Sequence, residues 1–165
     1  MGERYLIALG SNQRHVRHGA PERVLTAALA GLEQAGIRVV RTGPIVRSAP
    51  IGPSHRRYAN SAAVVETDLR PDALLTALKQ IERAFGRTQR GQRWSSRVLD
   101  LDIVLRRGGA WSSPGLTVPH IAYRTRDFVL APALPIAADW RDPLGGGTIR
   151  QLHRRLKRAK AITPA

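Results

Sequence analysis

Two amphipathic runs limit the folds open to this chain more than any other feature. In residues 21–35 (PERVLTAALAGLEQA), Val24, Leu25, Ala28, Leu29 and Leu32 recur at helical spacing, and Gly36 stops the run. In residues 71–85 (PDALLTALKQIERAF), a proline opens the run and Leu74, Leu75, Leu78, Ile81 and Phe85 form an apolar stripe that Gly86 ends. Helices this short are marginal in water unless the stripe is buried against another element. The segments around them supply one. RYLIALG, closed by Gly10, IRVVRT at 37–42, YANSAAVVETDL at 58–69 and RVLDLDIVL at 97–105 each read as a strand.

The order is β-α-β-β-α-β, which predicts an α+β, ferredoxin-like sandwich: a mostly antiparallel sheet with helices packed on one face. Two long connections interrupt it, 43–57 with three prolines and two glycines and 86–96 with three arginines. Loops so rich in special residues are usually functional. After the last strand come a turn (RRGG), an extended LTVPH, an apolar FVLAPALPIA and a basic helical TIRQLHRRLKRA. With no internal repeat or low-complexity segment, residues 1–165 are expected to form a single domain, 148–165 being a basic C-terminal helix and tail.

No stretch of eighteen apolar residues exists, so no membrane helix is expected. The start, MGERYLIALGSN, lacks a signal peptide's basic region and apolar stretch, and Leu6 breaks the myristoylation pattern. Without cysteine there is neither a disulfide framework nor a thiolate metal site. A cytoplasmic protein is expected. Its 27 basic residues, all but three arginine, face 12 acids for a formal charge of +15. Such a field attracts nucleic acid, nucleotides or phosphorylated metabolites. It equally fits a lineage that favours arginine, and charge alone does not decide.

RVLDLDIVL poses a sharper problem. Strand alternation puts Leu99, Leu101, Ile103 and Leu105 on one face and Val98, Asp100, Asp102 and Val104 on the other. Carboxylates two residues apart, about 7 Å, repel by roughly 2–3 kcal/mol at an effective dielectric near 20. Apolar neighbours add desolvation. Protonation, pairing with arginine or a divalent cation would each relieve this. Mg²⁺ suits the donors, since it is commonly held by one or two carboxylates plus substrate phosphates. Arg87, Arg90, Arg93 and Arg97, just upstream, carry the fork that binds phosphate bidentately. Acids for magnesium beside arginines for phosphate suggest a nucleotide-handling site.

RWSSRVLDLDIVL closely resembles the signature of the 6-hydroxymethyl-7,8-dihydropterin pyrophosphokinases, usually Arg-Trp-Gly-Pro-Arg-x-Leu-Asp-Leu-Asp-Ile. ALGSN at 8–12, SAPIGPSHRRYAN, IERAFGR, LTVPH and RDFVL resemble further family motifs in the right order. The resemblance implies the same ferredoxin-like fold and transfer of pyrophosphate from ATP to the dihydropterin, releasing AMP in folate biosynthesis. By the same resemblance Asp100 and Asp102 would hold two Mg²⁺ ions, with ATP as co-substrate, and Arg87 and Arg97 would engage phosphates around the transition state. Glu82, Arg87, Arg97, Ile103, Thr117, His120 and Arg126 match ATP-binding positions. Ser48, Ile51, Tyr58, Asn60, Trp94 and Phe128 match pterin-binding ones. Spacing alone would also allow Glu82 to be solvated at the edge of its helical stripe.

The chain departs from the pattern at Ala49, Gln89, Ser95, Ser96, Gly115 and Ile121, none of them the paired acids. The expected partners are small molecules, without nucleic acid or membrane, and the expected state is a monomer. Two alternatives stand beside the enzyme. One is a paralogue that binds pterin or nucleotide without turnover. The other is a basic RNA-binding module, which would need exposed aromatics on its central strands where this chain has Ala, Val, Leu and acids.

Overall fold

The computed structural model describes residues 2–48, 58–86 and 98–162, and for Ser48 the backbone only. Its strands are β1 (Glu3–Ser11), β2 (Arg38–Thr42), β3 (Val46–Ser48), β4 (Tyr58–Thr67), β5 (Asp100–Arg106), β6 (Trp111–Ser113) and β7 (Leu116–Val118). Its helices are α1 (Pro21–Gln34), α2 (Pro71–Ala84), α3 (Asp127–Ala137) and α4 (Ile149–Ile162), with a 3₁₀ turn at Tyr123–Thr125. The main sheet runs β2-β4-β1-β5, β3 also pairs with β4, and every pairing is antiparallel. β6 and β7 form a separate hairpin.

The central strands are almost continuously buried because both faces of the sheet are covered. Tyr5, Ile7 and Leu9 of β1 face α1 and α2, packing with Val24, Leu25, Ala28, Leu32, Leu74 and Leu78. Leu6 of β1 and Ala62 and Val64 of β4 face the other way, into a second core with Leu130, Ala133, Ile149 and Leu152 of α3 and α4. The expectation of helices on one face therefore holds for α1 and α2 and is extended by α3 and α4, which cover much of the opposite face.

α3 is the run FVLAPALPIA, whose prolines at 132 and 135 removed the helical signal from the sequence. Its turns are held by packing on β4. Gly43 permits that approach, since a Cβ there would overlap the Pro132 carbonyl. The connection 43–57 is also less irregular than expected, because Val46–Ser48 pairs with the start of β4.

β5 corrects the simple alternation. Leu6 is registered with Leu105 but Ile7 with Ile103, so the ladder shifts by one residue at Val104. Such a bulge turns the following residue to the other face. Leu105 and Val104 both enter the second core, while Leu99, Leu101 and Ile103 stay in the first. Val98, ahead of the strand, also packs against the first core rather than beside the acids. β1 likewise runs through Gly10 to Ser11 instead of closing there.

Candidate active site

The paired acids stand on the sheet face away from α1 and α2. Asp100 is registered opposite Gly10, and Gly10 opposite Asn60, so the three lie in one row across β5, β1 and β4. Residues opposite one another in an antiparallel ladder point to the same face. A Cβ on Gly10 would lie 3.2 Å from Asn60 Oδ1, 3.7 Å from Tyr58 Cδ1 and 4.0 Å from Asp100 Cβ. Bare backbone is thus the floor of a recess with an acid on one side and the Asn60 amide and Tyr58 ring on the other. One row along, Asp102 faces Ala8, and Ala8 faces Ala62, which keeps that floor low as well. A glycine inside a strand often marks such a close approach. Sequence reasoning reads Gly10 only as the end of β1 and misses its place in the candidate site.

His120 approaches β5 from the β6–β7 hairpin, after the cis bond between Val118 and Pro119. Its backbone N–H donates to the Val104 carbonyl at 2.9 Å, and its Nδ1 accepts from the Ala122 N–H at 3.1 Å. An accepting Nδ1 leaves the proton of the neutral ring on Nε2. Burial pushes the His120 pKa below its ordinary value, the Asp102 carboxylate opposes this, and the Arg126 guanidinium adds to it. The histidine therefore feels both one of the paired acids and Arg126. Arg126 in turn lies over the Phe128 ring, 5.6 Å from its centroid, and Phe128 is half-buried against the second core.

A buried carboxylate ties down the segment that carries His120 and Arg126. Asp142 accepts from the Tyr123 hydroxyl at 2.7 Å, from Arg124 Nε, and from the Leu144 and Gly145 N–H groups at 2.9 and 3.1 Å. Burial alone would raise its pKa, but these donors outweigh burial and hold the carboxyl well below the usual range. Tyr123 is pushed up, first by its burial and then by its bond to Asp142.

Three further positions differ in what they can offer. Glu82 is 1% exposed, not solvated, and its Oε1 accepts the Leu101 N–H at 2.8 Å, between the two acids of β5. Ile103 is buried in the α1/α2 core, so it can present only its backbone to a ligand on the acid side. Thr117 is exposed on β7. Ile51, Arg87, Trp94, Arg97 and the Ser48 side chain lie outside the described residues, as do Ala49, Gln89, Ser95 and Ser96. Gly115 forms the β6–β7 turn at φ +79°, and Ile121 is exposed beside His120.

Among the described residues no group of three or more His, Asp or Glu could hold a metal by itself. Two half-buried carboxylates over a floor of Gly10 and Ala8 fit a hard divalent cation whose remaining ligands come from substrate oxygen.

The model of the family described as 7,8-dihydro-6-hydroxymethylpterin-pyrophosphokinase (HPPK) matches residues 6–138. The chain is 40% identical over 147 residues to the 2-amino-4-hydroxy-6-hydroxymethyldihydropteridine pyrophosphokinase of Pseudomonas aeruginosa, covering 88% of this chain and 87% of that one. It is 39% identical over 135 residues to the protein of the same name from Haemophilus influenzae, covering 81% of each. Wild-type Plasmodium falciparum HPPK-DHPS superposes with a TM-score of 0.75 over 98% of this chain at 12% identity, a likeness of fold. This chain spans 42% of that larger one. With a family model covering most of its length and relatives at this identity, the chain belongs to the 7,8-dihydro-6-hydroxymethylpterin-pyrophosphokinase family.

Proposed function

We propose that this protein transfers the β,γ-pyrophosphoryl unit of ATP to the hydroxymethyl oxygen of 6-hydroxymethyl-7,8-dihydropterin, a step of folate biosynthesis. The observation that carries the reading is the row Asp100–Gly10–Asn60, which sets a carboxylate across a bare floor from an amide and an aromatic ring. A flat heterocycle with a donor–acceptor edge needs that combination.

The pterin lies over Gly10, its edge read by Asn60 and its ring held by Tyr58 and Phe128, and the family pattern adds Ser48, Ile51 and Trp94 as pterin contacts. ATP takes the side of Asp102, where Arg126 and the Nε2–H of His120 meet its phosphates, and the family pattern adds Arg87 and Arg97 as further phosphate ligands. Ile103 contributes backbone and Thr117 a hydroxyl. Glu82 acts on ATP through the strand it holds. The hydroxymethyl oxygen forms a bond to the β-phosphorus, the bond from that phosphorus to the α,β-bridging oxygen breaks, AMP departs and the hydroxyl proton is released. No covalent enzyme intermediate is needed, and positioning and charge neutralisation carry the rate. Asp100 and Asp102 would hold two Mg²⁺ ions, which supply charge neutralisation at the phosphates and polarise the attacking hydroxyl. The protein is expected to act as a cytoplasmic monomer on small molecules.

Purified protein given ATP, Mg²⁺ and the hydroxymethyldihydropterin should release AMP rather than ADP, and only when pterin is present. Asp100→Ala and Asp102→Ala should each lower that rate by about 10²–10³-fold, the usual effect of losing one electrostatic stabiliser, with unchanged circular dichroism. Pterin binding without AMP would instead identify the non-catalytic paralogue.

A further inference from the structure

The loop between β1 and α1 carries a second concentration of charge that the reaction does not use. Arg14, His15, Arg17, His18 and Arg23 line one cavity of about 370 Å³. It lies at the α1/α2 end of the molecule: the His18 ring stacks on Phe85, just past α2, with centroids 5.2 Å apart. Phe85 belongs to the first core, whereas the acids face the second layer.

The loop is built rather than slack. His15 and Gly19 exchange both backbone hydrogen bonds, at 2.8 and 2.9 Å. Within that closure, His15 Nδ1 accepts the N–H groups of Arg17 and His18 at 3.0 and 3.1 Å. The ring is thereby oriented with its donor on Nε2, and His18 stacks on it at 4.7 Å. Gly19 closes the turn at φ +84°, where a side chain would be strained.

None of the three arginines has a carboxylate within ion-pair distance among the described residues. Glu22, the nearest acid in the chain, is bound to Arg47 at 2.6 Å. Three guanidiniums and an oriented imidazole N–H around one cavity, uncompensated, form a receptor for a group with several negative charges. A single carboxylate would leave most of that charge unanswered.

We propose that this cavity is an anion site, separate from the paired acids, that takes the diphosphate or triphosphate group of a small molecule. The charge gathers around one open concavity of this loop instead of running along a stripe, which favours a compact polyphosphate over a nucleic-acid backbone.

Inorganic diphosphate titrated into the ¹⁵N-labelled full chain, without Mg²⁺, tests this. The amide signals of residues 14–19 and 23 should move along one saturating curve. In the Arg14→Ser/Arg17→Ser variant the dissociation constant read from the signals of 15, 16, 18 and 19 should rise at least tenfold. His15→Ala, which keeps every arginine and frees the loop, should also weaken binding. If only signals near Asp100 and His120 move, or if the double variant titrates like the parent, the assignment is wrong. Single-stranded RNA that displaces diphosphate from these residues at tenfold lower concentration would overturn it in favour of a nucleic-acid surface.

Discussion

Gly10 has no side chain, and the recess exists for that reason. Asp100, Asn60 and Tyr58 converge on the space its Cβ would take, and the closest approach, 3.2 Å to Asn60 Oδ1, is tight but not prohibitive. Gly10→Ala should therefore fold, because the strand continues on both sides and the clash is with a side-chain amide. Its cost should fall on the ligand: pterin affinity measured by calorimetry should drop by about tenfold, equivalent to ~1.4 kcal/mol. Unchanged affinity with a lowered melting temperature would make Gly10 scaffold. At this scale the sequence was legible where a residue type carries chemistry. Asp100, Asn60, Tyr58 and His120 could be named from motifs. What a glycine contributes is empty space, and empty space has no signature until its neighbours are known.

β5 is an edge strand that carries both acids, and its outer edge needs partners. Glu82 supplies one from α2 by accepting the Leu101 N–H. Lys79 Nζ lies 3.4 Å from its other oxygen. Glu82→Ala leaves a buried N–H unsatisfied and should cost about 1–3 kcal/mol in urea unfolding. Glu82→Gln keeps an acceptor and should lose distinctly less. Equal losses would mean that the charge, not the strand bond, matters.

Element-level reading from sequence worked for α1 and α2, whose proline starts, apolar stripes and glycine stops all agree. It failed at α3, because proline argues locally against a helix that packing on β4 sustains. It failed again at the Val104 bulge, because alternation assumes an unbroken register.

Over the whole molecule, two helical layers clamp one sheet, and the second layer is pinned to the site by Asp142. That carboxyl is held below its unfolded value of about 3.9, so it binds fewer protons folded than unfolded across the interval between the two pKa values. Its stabilisation is fully present above about pH 4 and is lost as pH falls through the folded value. Asp142→Asn should thus be most destabilised, by about 3–5 kcal/mol for a broken buried pair, at neutral pH. The deficit should shrink in urea titrations taken from pH 4 towards pH 2. A constant deficit would show that shape, not charge, makes the anchor. The positive field belongs to this scale too: part of it runs along α4, and part gathers around the cavity lined by Arg14, Arg17 and Arg23.

The sequence by itself determined the βαββαβ order, the helical stripes and which residue types are offered to the candidate site, because periodicity and residue chemistry are local properties. Only the tertiary structure decided that both sheet faces would be covered, that Leu105 would leave the row its spacing assigned, and that Gly10 would lie beneath Asp100 and Asn60. Those outcomes depend on register and on which surfaces meet, and residues far apart in the chain set both.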